Sequence, residues 1–319
     1  MNKLITLLSA VLAVQVILAA ILFGYRGDTG AFHSDQSLLG LSQDGFDAVS
    51  IEQKDKPALT LKKDKDVWLL PGYFNVPVDN GKFDDFSRKL LALKTSWPVA
   101  NTEDAAERFQ VNKDKYERKI VFQKDGKPVK TLYLGTSPGF KKIHARIDGN
   151  NDIQSIDFAA FEASVTPEDW MKQDLAKIDP SQISQIKGND FTLVKADKDW
   201  AVEGLPANQT SNAAEIKAFT DKLAALNYSA VLGVEDKPEY HLKEPALLFT
   251  FNKHAEEIQY RFGKQDGQDD YVLKTSSQPF YFKIGKGLVD SLKEFNLKKL
   301  SQVKPAENPP QPSAPSVKK

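Results

Sequence analysis

A fifteen-residue pattern that occurs twice constrains this chain's fold more than any other feature. Lys82–Ser96, KFDDFSRKLLALKTS, aligns without a gap on Glu215–Ser229, EIKAFTDKLAALNYS, at an offset of 133 residues. Phe83, Phe86, Leu90 and Leu93 fall on Ile216, Phe219, Leu223 and Leu226. The spacing i, i+3, i+7, i+10 places each set on one stripe of a helix, and a stripe facing a core is the expected use. A duplicated amphipathic helix implies a duplicated fold unit, because each helix needs a partner surface to bury its stripe.

The flanks agree with a duplication. Upstream, Val67-Trp68 matches Asp199-Trp200, and Ala48–Ile51 resembles Gln182–Ile186. Downstream, Arg108-Phe109-Gln110-Val111 resembles Glu239-Tyr240-His241-Leu242. Ile120–Gln123 resembles Leu248–Asn252, and Thr131–Gly135 resembles Gln259–Gly263. Stretches such as Lys119–Gln123 and Thr131–Leu134 alternate with the period of half-buried strands. Short turns such as Lys124-Asp125-Gly126-Lys127 join them, which favours hairpins over crossover helices. Each unit therefore reads as three strands, a helix, three or four antiparallel strands and a closing helix. The closing helices are expected at Asp157–Val165 and Lys286–Phe295. The fold class is α+β: two tandem repeats, each a mostly antiparallel sheet with one main amphipathic helix.

The cassette combines a tryptophan ending a short strand, an amphipathic helix, an aromatic-x-hydrophobic step and a strand closing in Leu-Gly. Its double occurrence after one hydrophobic segment resembles the bacterial family called domain of unknown function 4340, over roughly Phe46 to Leu300. The resemblance implies an accessory role in an envelope transport complex, since such proteins occur beside ABC-type export and gliding-motility-type components. It carries no activity onto any residue.

The hydrophobic segment is Leu4–Phe23, twenty uncharged residues in which only Thr6, Ser9 and Gln15 are polar. Twenty helical residues match the roughly 30 Å hydrocarbon core of a bilayer. The apolar run outlasts the core of a cleaved signal peptide and lacks a small-x-small site, which favours an uncleaved anchor. Lys3 and the terminal amine on the short N-terminal flank favour an N-terminus inside and the bulk outside. The expected organisation is residues 1–3 cytoplasmic, 4–23 transmembrane, 24–45 flexible linker, 46–176 and 177–300 the two repeats, and 301–319 a Pro-rich tail. The linker's glycines suit a coil reaching about 25 Å. Five of the 17 prolines fall in the last sixteen residues.

Charge narrows the classes of partner. Lys+Arg and Asp+Glu both number 43 among 319 residues, so no global field draws the chain to nucleic acid or to anionic lipid, and no basic run suggests a local patch. The chain contains no cysteine, which removes disulfides, thiolate catalysis and Cys-ligated zinc.

The motifs that suggest chemistry are few. Gly135-Thr136-Ser137-Pro138-Gly139 matches the G-x-S-x-G nucleophile elbow, but that elbow needs a helix running out. Phe140–Ile147 alternates like a strand instead, and the matching loop Gly263–Gly267 has no serine. His33, His144, His241 and His254 show no zinc-helix spacing. Asp148–Asp152 and Gln265–Asp270 are oxygen-rich but read as turns rather than calcium loops. Gly285-Lys286-Gly287 reads as a helix start, and no phosphate-binding glycine loop occurs. No catalytic, cofactor-binding or metal-ligating residue is assigned. Trp68 and Trp200 are repeat-equivalent and hence structural. Trp97 and Trp170 are the candidate binding-surface aromatics.

The expected function is a non-enzymatic, membrane-anchored extracytoplasmic accessory protein of an ABC-type envelope export system, residing in the cytoplasmic membrane by residues 4–23. Its expected partner is a transporter permease or another envelope protein, with no cofactor. The alternative is an envelope glycan- or lipid-binding module; an envelope hydrolase built on Ser137 ranks third.

Overall fold

The computed structural model describes residues 11–17, 36–197, 199–254 and 256–304. Of the expected membrane segment only Val11–Ile17 lies among them, as exposed helix. The rest of Leu4–Phe23, the linker to residue 35 with His33, and the tail from residue 305 lie outside the described residues. Among the described residues no helix is long and apolar enough to cross a membrane.

The fold is α+β, with two large antiparallel sheets and few helices. The first repeat runs β1 (Ala48–Glu52), β2 (Leu59–Asp64), β3 (Val67–Leu70), β4 (Val76–Pro77), α1 (Asn80–Leu91), α2 (Glu103–Arg108), β5 (Arg118–Lys124), β6 (Lys127–Leu134), β7 (Ile143–Ile147) and β8 (Ile153–Ile156). The sheet order is β4-β3-β2-β1-β5-β6-β7-β8. The second repeat runs β9 (Gln185–Lys187), β10 (Thr192–Ala196), β11 (Asp199–Val202), β12 (Gln209–Ser211), α3 (Ala213–Ala224), β13 (Ala230–Gly233), β14 (Leu247–Lys253), β15 (Glu256–Lys264), β16 (Tyr271–Thr275), β17 (Tyr281–Ile284), α4 (Lys286–Lys293), α5 (Leu297–Leu300) and β18 (Ser301–Val303). Its sheet order is β11-β10-β9-β14-β15-β16-β17-β13. Three strands before the helix and four after it thus take the same places in both sheets.

Register shows why the repeated apolar residues recur. Val49 pairs with Leu61 on one side and Phe122 on the other; Ile186 pairs with Leu193 and Phe251. Val49 is therefore the counterpart of Ile186, a residue-level pairing that the segment match between Ala48–Ile51 and Gln182–Ile186 leaves open. Both helical stripes face a core as expected: Phe83, Phe86, Leu90 and Leu93 are buried, as are Ile216, Phe219, Leu223 and Leu226. Phe219 alone meets Phe191, Phe249 and Phe295 with ring centres 5.2–5.4 Å apart. Burying one such ring contributes on the order of 2–3 kcal/mol.

The repeats part company at three places. The closing helix expected at Asp157–Val165 does not form; only Ala160–Glu162 makes a 3-10 turn. Ser164-Val165-Thr166 followed by Pro167 disfavours helix, and the Glu162 carboxylate accepts from the Ala159 N–H instead of supporting a longer one. Its counterpart α4 is present, ending at Lys293. Strand β13 pairs with β17 over its length, but in the first sheet only Val99 and Ala100 pair with Ile153. Pro98 has no N–H to continue that ladder. Finally β4 pairs with β3, whereas β12 pairs with β18.

Compact units and sequence repeats are different partitions. One unit combines the chain up to Asp66 with Asn80–Thr166; the other combines Val67–Asp79 with the chain from Pro167 onward. The hairpin β3–β4 joins the second unit through named bonds. The Asp79 N–H donates to the Trp170 carbonyl at 2.7 Å, and the Lys172 N–H donates to the Pro77 carbonyl at 2.8 Å. The Tyr73 hydroxyl donates to Glu168 at 3.0 Å and accepts from the Val231 N–H at 3.2 Å. Burial leads the causes that push its pKa up to about 12.

The N-terminal stretch expected to be linker is partly ordered. Residues 36–38 are stitched to 93–95: the Leu38 N–H donates to the Leu93 carbonyl and the Thr95 N–H to the Gln36 carbonyl. Leu39 is fully buried. The described fold therefore begins at Gln36, inside the stretch 24–45 expected as linker.

Candidate functional site

The aromatic-x-hydrophobic step and the Leu-Gly ending of the long strand are two halves of one corner. Gln110 and His241 each follow an aromatic residue and adopt the left-handed conformation, with φ of 57° and 50°. That turns the carbonyls of Phe109 and Tyr240 onto the strand ends at Gly135 and Gly263. A Cβ on Gly135 would lie 1.9 Å from the Phe109 oxygen, and one on Gly263 would lie 1.8 Å from the Tyr240 oxygen. Only glycine permits that approach. Val111 and Leu242 then drop into small satellite cores, with Tyr133 and Ile153 in the first and Val272 and Tyr281 in the second.

The residues with chemical potential serve these corners. Ser137 is exposed on the β6–β7 turn, its hydroxyl 2.8 Å from the Gly139 carbonyl and 2.7 Å from the Lys142 carbonyl. His144 does not approach it. Its Nδ1 lies 3.0 Å from the Thr136 hydroxyl, and its ring stacks on Phe109 at 4.1 Å. Burial lowers the pKa of His144, partly offset by its bond with Thr136. His241 bonds Asp266 across the equivalent corner of the other repeat, 2.7 Å apart and exposed. His254 sits in the β14–β15 turn with φ of 50°. Among the described residues no group of three His, Cys, Asp or Glu is placed to hold a metal ion.

The tryptophans separate sharply. Trp170 is 4% exposed, so it is a core residue of the second unit and not a surface aromatic. The next residue, Met171, is buried too and forms a bridge with the buried Val78. Trp68 is buried, and Trp200 is half-buried with the Lys195 ammonium 5.7 Å from its ring centre. Trp97 is 62% exposed, two residues past Thr95, where the N-terminal segment is stitched to the fold.

Two further aromatics are exposed close to β8 along the chain or across its pairing, and sequence reasoning missed both. Phe140 is 89% exposed and Phe161 77% exposed. The alternation of Phe140–Ile147 suggested a strand, but β7 begins only at Ile143; Gly139 and Lys142 close a turn with Phe140 and Lys141 at its tip. Ile143 pairs with Ile156, the last residue of β8, and Lys142 reaches Asp157 just beyond it at 2.8 Å. Phe161 follows in the short turn after Asp157. Trp97 approaches β8 from its outer side, where the Ser96 N–H donates to the Gln154 side chain.

The duplication supplies an internal control for this surface. Gly135 and Gly263 fix the alignment before the turn, and the pairs Leu134–Ala145 and Phe262–Leu273 fix it after. Phe140-Lys141-Lys142 therefore stands where the second repeat has Gln268-Asp269-Asp270. Phe161 stands where α4 has the fully buried Val289, and Trp97 where β13 has Ala230. The scaffold does not require an exposed aromatic at any of the three positions. A signal was available in the sequence: the same repeat alignment, read for differences rather than matches.

The second unit holds open clefts. One of about 500 Å³ is lined by Asp236, Lys237, Pro238, His241, Leu242, Lys243 and Glu244. Another, about 320 Å³, is polar and includes Lys172, Asp174, Lys177, Lys253 and Glu256.

No curated protein and no solved structure matches the chain. The family model described as domain of unknown function (DUF4340) matches residues 68–245, more than half of the chain, and takes in both main helices, the whole first corner and the Tyr240 half of the second. The chain belongs to the DUF4340 family.

Proposed function

We propose that the protein is a non-enzymatic, membrane-tethered accessory subunit of an ABC-type envelope export system, with its two α+β repeats outside the cytoplasm. One observation carries the reading. The chain enters its fold at Gln36–Leu38, stitched beside Thr95, only twelve residues after the hydrophobic run ends at Phe23. Even fully extended, twelve residues span at most about 40 Å, so the first unit stays near the bilayer where a permease presents its outer face. The residues a hydrolase would use are engaged elsewhere: Ser137 with carbonyls, His144 with Thr136. That engagement supports a scaffold that presents surfaces rather than one that turns over substrate. The export context rests on the kinship described at the level of sequence.

The test is crosslinking in native membranes followed by purification of the full chain in mild detergent. The expected product contains an ABC-type permease subunit in fixed ratio; a chain recovered alone would overturn the assignment. The cleft at Pro238, His241 and Leu242 favours a second reading, an envelope glycan- or lipid-binding module. Binding of defined glycans or lipids that is lost in Lys243→Glu, an exposed residue of the same cleft, would support it, and blank titrations would remove it.

A further inference from the structure

We infer that the first unit carries a membrane-contact surface, in which Trp97, Phe140 and Phe161 with Lys141 and Lys142 rest on an anionic lipid bilayer. The inference rests on the tethered reading above and goes further, because a tether alone requires no contact between fold and lipid.

Four observations converge. The first is composition at the loop tip. Phe140, 89% exposed, lies between β6 and β7 and is followed by Lys141, whose ammonium is 5.3 Å from the Phe140 ring centre, and by Lys142, which also pairs with Asp157 at the surface. An aromatic ring beside ammonium groups suits the bilayer interface, where rings enter the headgroup layer and lysines meet anionic lipid.

The second observation is placement. Ser96, next to Trp97, donates to Gln154 of β8, Phe161 follows the end of β8 by five residues, and Trp97 lies two residues from Thr95, the point where the N-terminal segment joins the fold. The bilayer end of the chain and the exposed rings thus share one region. Tryptophan is the residue most at home in the headgroup layer, having an apolar body and one N–H donor.

Chain length is the third. Residues 24–35 are all that separate Phe23 from Gln36. So short a spacer keeps this region within a few nanometres of the lipid at all times, which raises its effective concentration there and lets weak contacts form.

The last is the internal control. The equivalent loop tip in the second repeat reads Gln268-Asp269-Asp270, and its aspartates are paired with Lys264 and Lys283. Neutralised in this way and lacking a ring, that tip offers a bilayer nothing comparable to Phe140 beside Lys141. The two repeats have therefore diverged in the sense expected if only the copy joined to the anchor meets lipid. The chain as a whole is neutral, so the contact is local rather than a consequence of net charge.

The absence of cysteine gives a clean test. Full chains carrying Phe140→Cys or Gln268→Cys are labelled with an environment-sensitive thiol dye and reconstituted in nanodiscs containing brominated lipid, either anionic or zwitterionic. Alkaline carbonate extraction of the native membrane is read separately. The expected result is a blue-shifted, bromine-quenched label at 140, strongest on anionic discs and diminished by Lys141→Gln, with the label at 268 remaining aqueous. An aqueous label at 140 on a chain that resists carbonate overturns the lipid surface and leaves the anchor standing. A chain stripped by carbonate overturns the anchor, and the contact surface with it. A label at 140 shielded only when transporter subunits are present, and not by lipid, assigns the rings to a protein partner and overturns the proposal.

Discussion

At the residue scale the two glycine corners are the most demanding positions in the fold. Gly135 and Gly263 each face a carbonyl oxygen closer than 2 Å from where a Cβ would stand. A backbone carbonyl cannot swing aside as a side-chain tip can. Gly135→Ala and Gly263→Ala are each expected to cost about 2–4 kcal/mol in urea unfolding, whereas Gly139→Ala, with open space at its Cβ, should stay within about 0.5 kcal/mol. Equal tolerance of all three would contradict the corner. His144 makes a second prediction. Its pKa is lowered in the folded protein, so the unfolded chain binds the proton first as pH falls below about 6.5. Stability is therefore retained above that pH and lost progressively on acidification until the folded histidine also protonates. His144→Gln loses the ring stacking on Phe109 at every pH but should show a flatter decline between pH 7 and 5 when unfolding free energy is measured across that window. An unchanged slope would remove His144 as the cause.

At the element scale the duplicated helices were legible because a 3.6-residue stripe survives in sequence even when strands drift. Phe86 and Phe219 occupy equivalent places and are both buried. Each truncation to alanine is expected to cost about 3–5 kcal/mol by thermal or chemical unfolding. Asn212, whose side chain accepts from the Glu215 N–H at the start of α3, should cost only about 1 kcal/mol when replaced by alanine. If Phe219→Ala were no worse than Asn212→Ala, the helix would not be seated on its sheet as described. Strand register was less legible. Val49 and Ile51 are both apolar and two residues apart, so either satisfies the alternation; only pairing with Phe122 decides between them. The missing helix at Asp157–Val165 was misread for a related reason. Its apolar spacing is adequate, but the β-branched residues and Pro167 that end it act through the backbone, which a pattern of apolar residues does not register.

At the scale of the whole molecule, duplication was readable and the division into units was not. Hairpin Val67–Asp79 belongs to the first repeat in sequence, yet it makes its bonds with Glu168, Trp170, Lys172 and Val231. Such long-range pairing leaves no local mark. Trp170 illustrates the consequence: outside the repeat alignment it looked unconstrained, and in the fold it is sealed beside the hairpin. The surface at Trp97, Phe140 and Phe161 was hidden in the opposite way, by attention to what the repeats share. The proposed placement of both units outside the cytoplasm on a short tether is tested most directly by topology. In intact spheroplasts, a membrane-impermeant thiol reagent should label the full chain carrying Gln268→Cys without prior lysis. Labelling that occurs only in inverted vesicles would place the units on the cytoplasmic side and contradict the account.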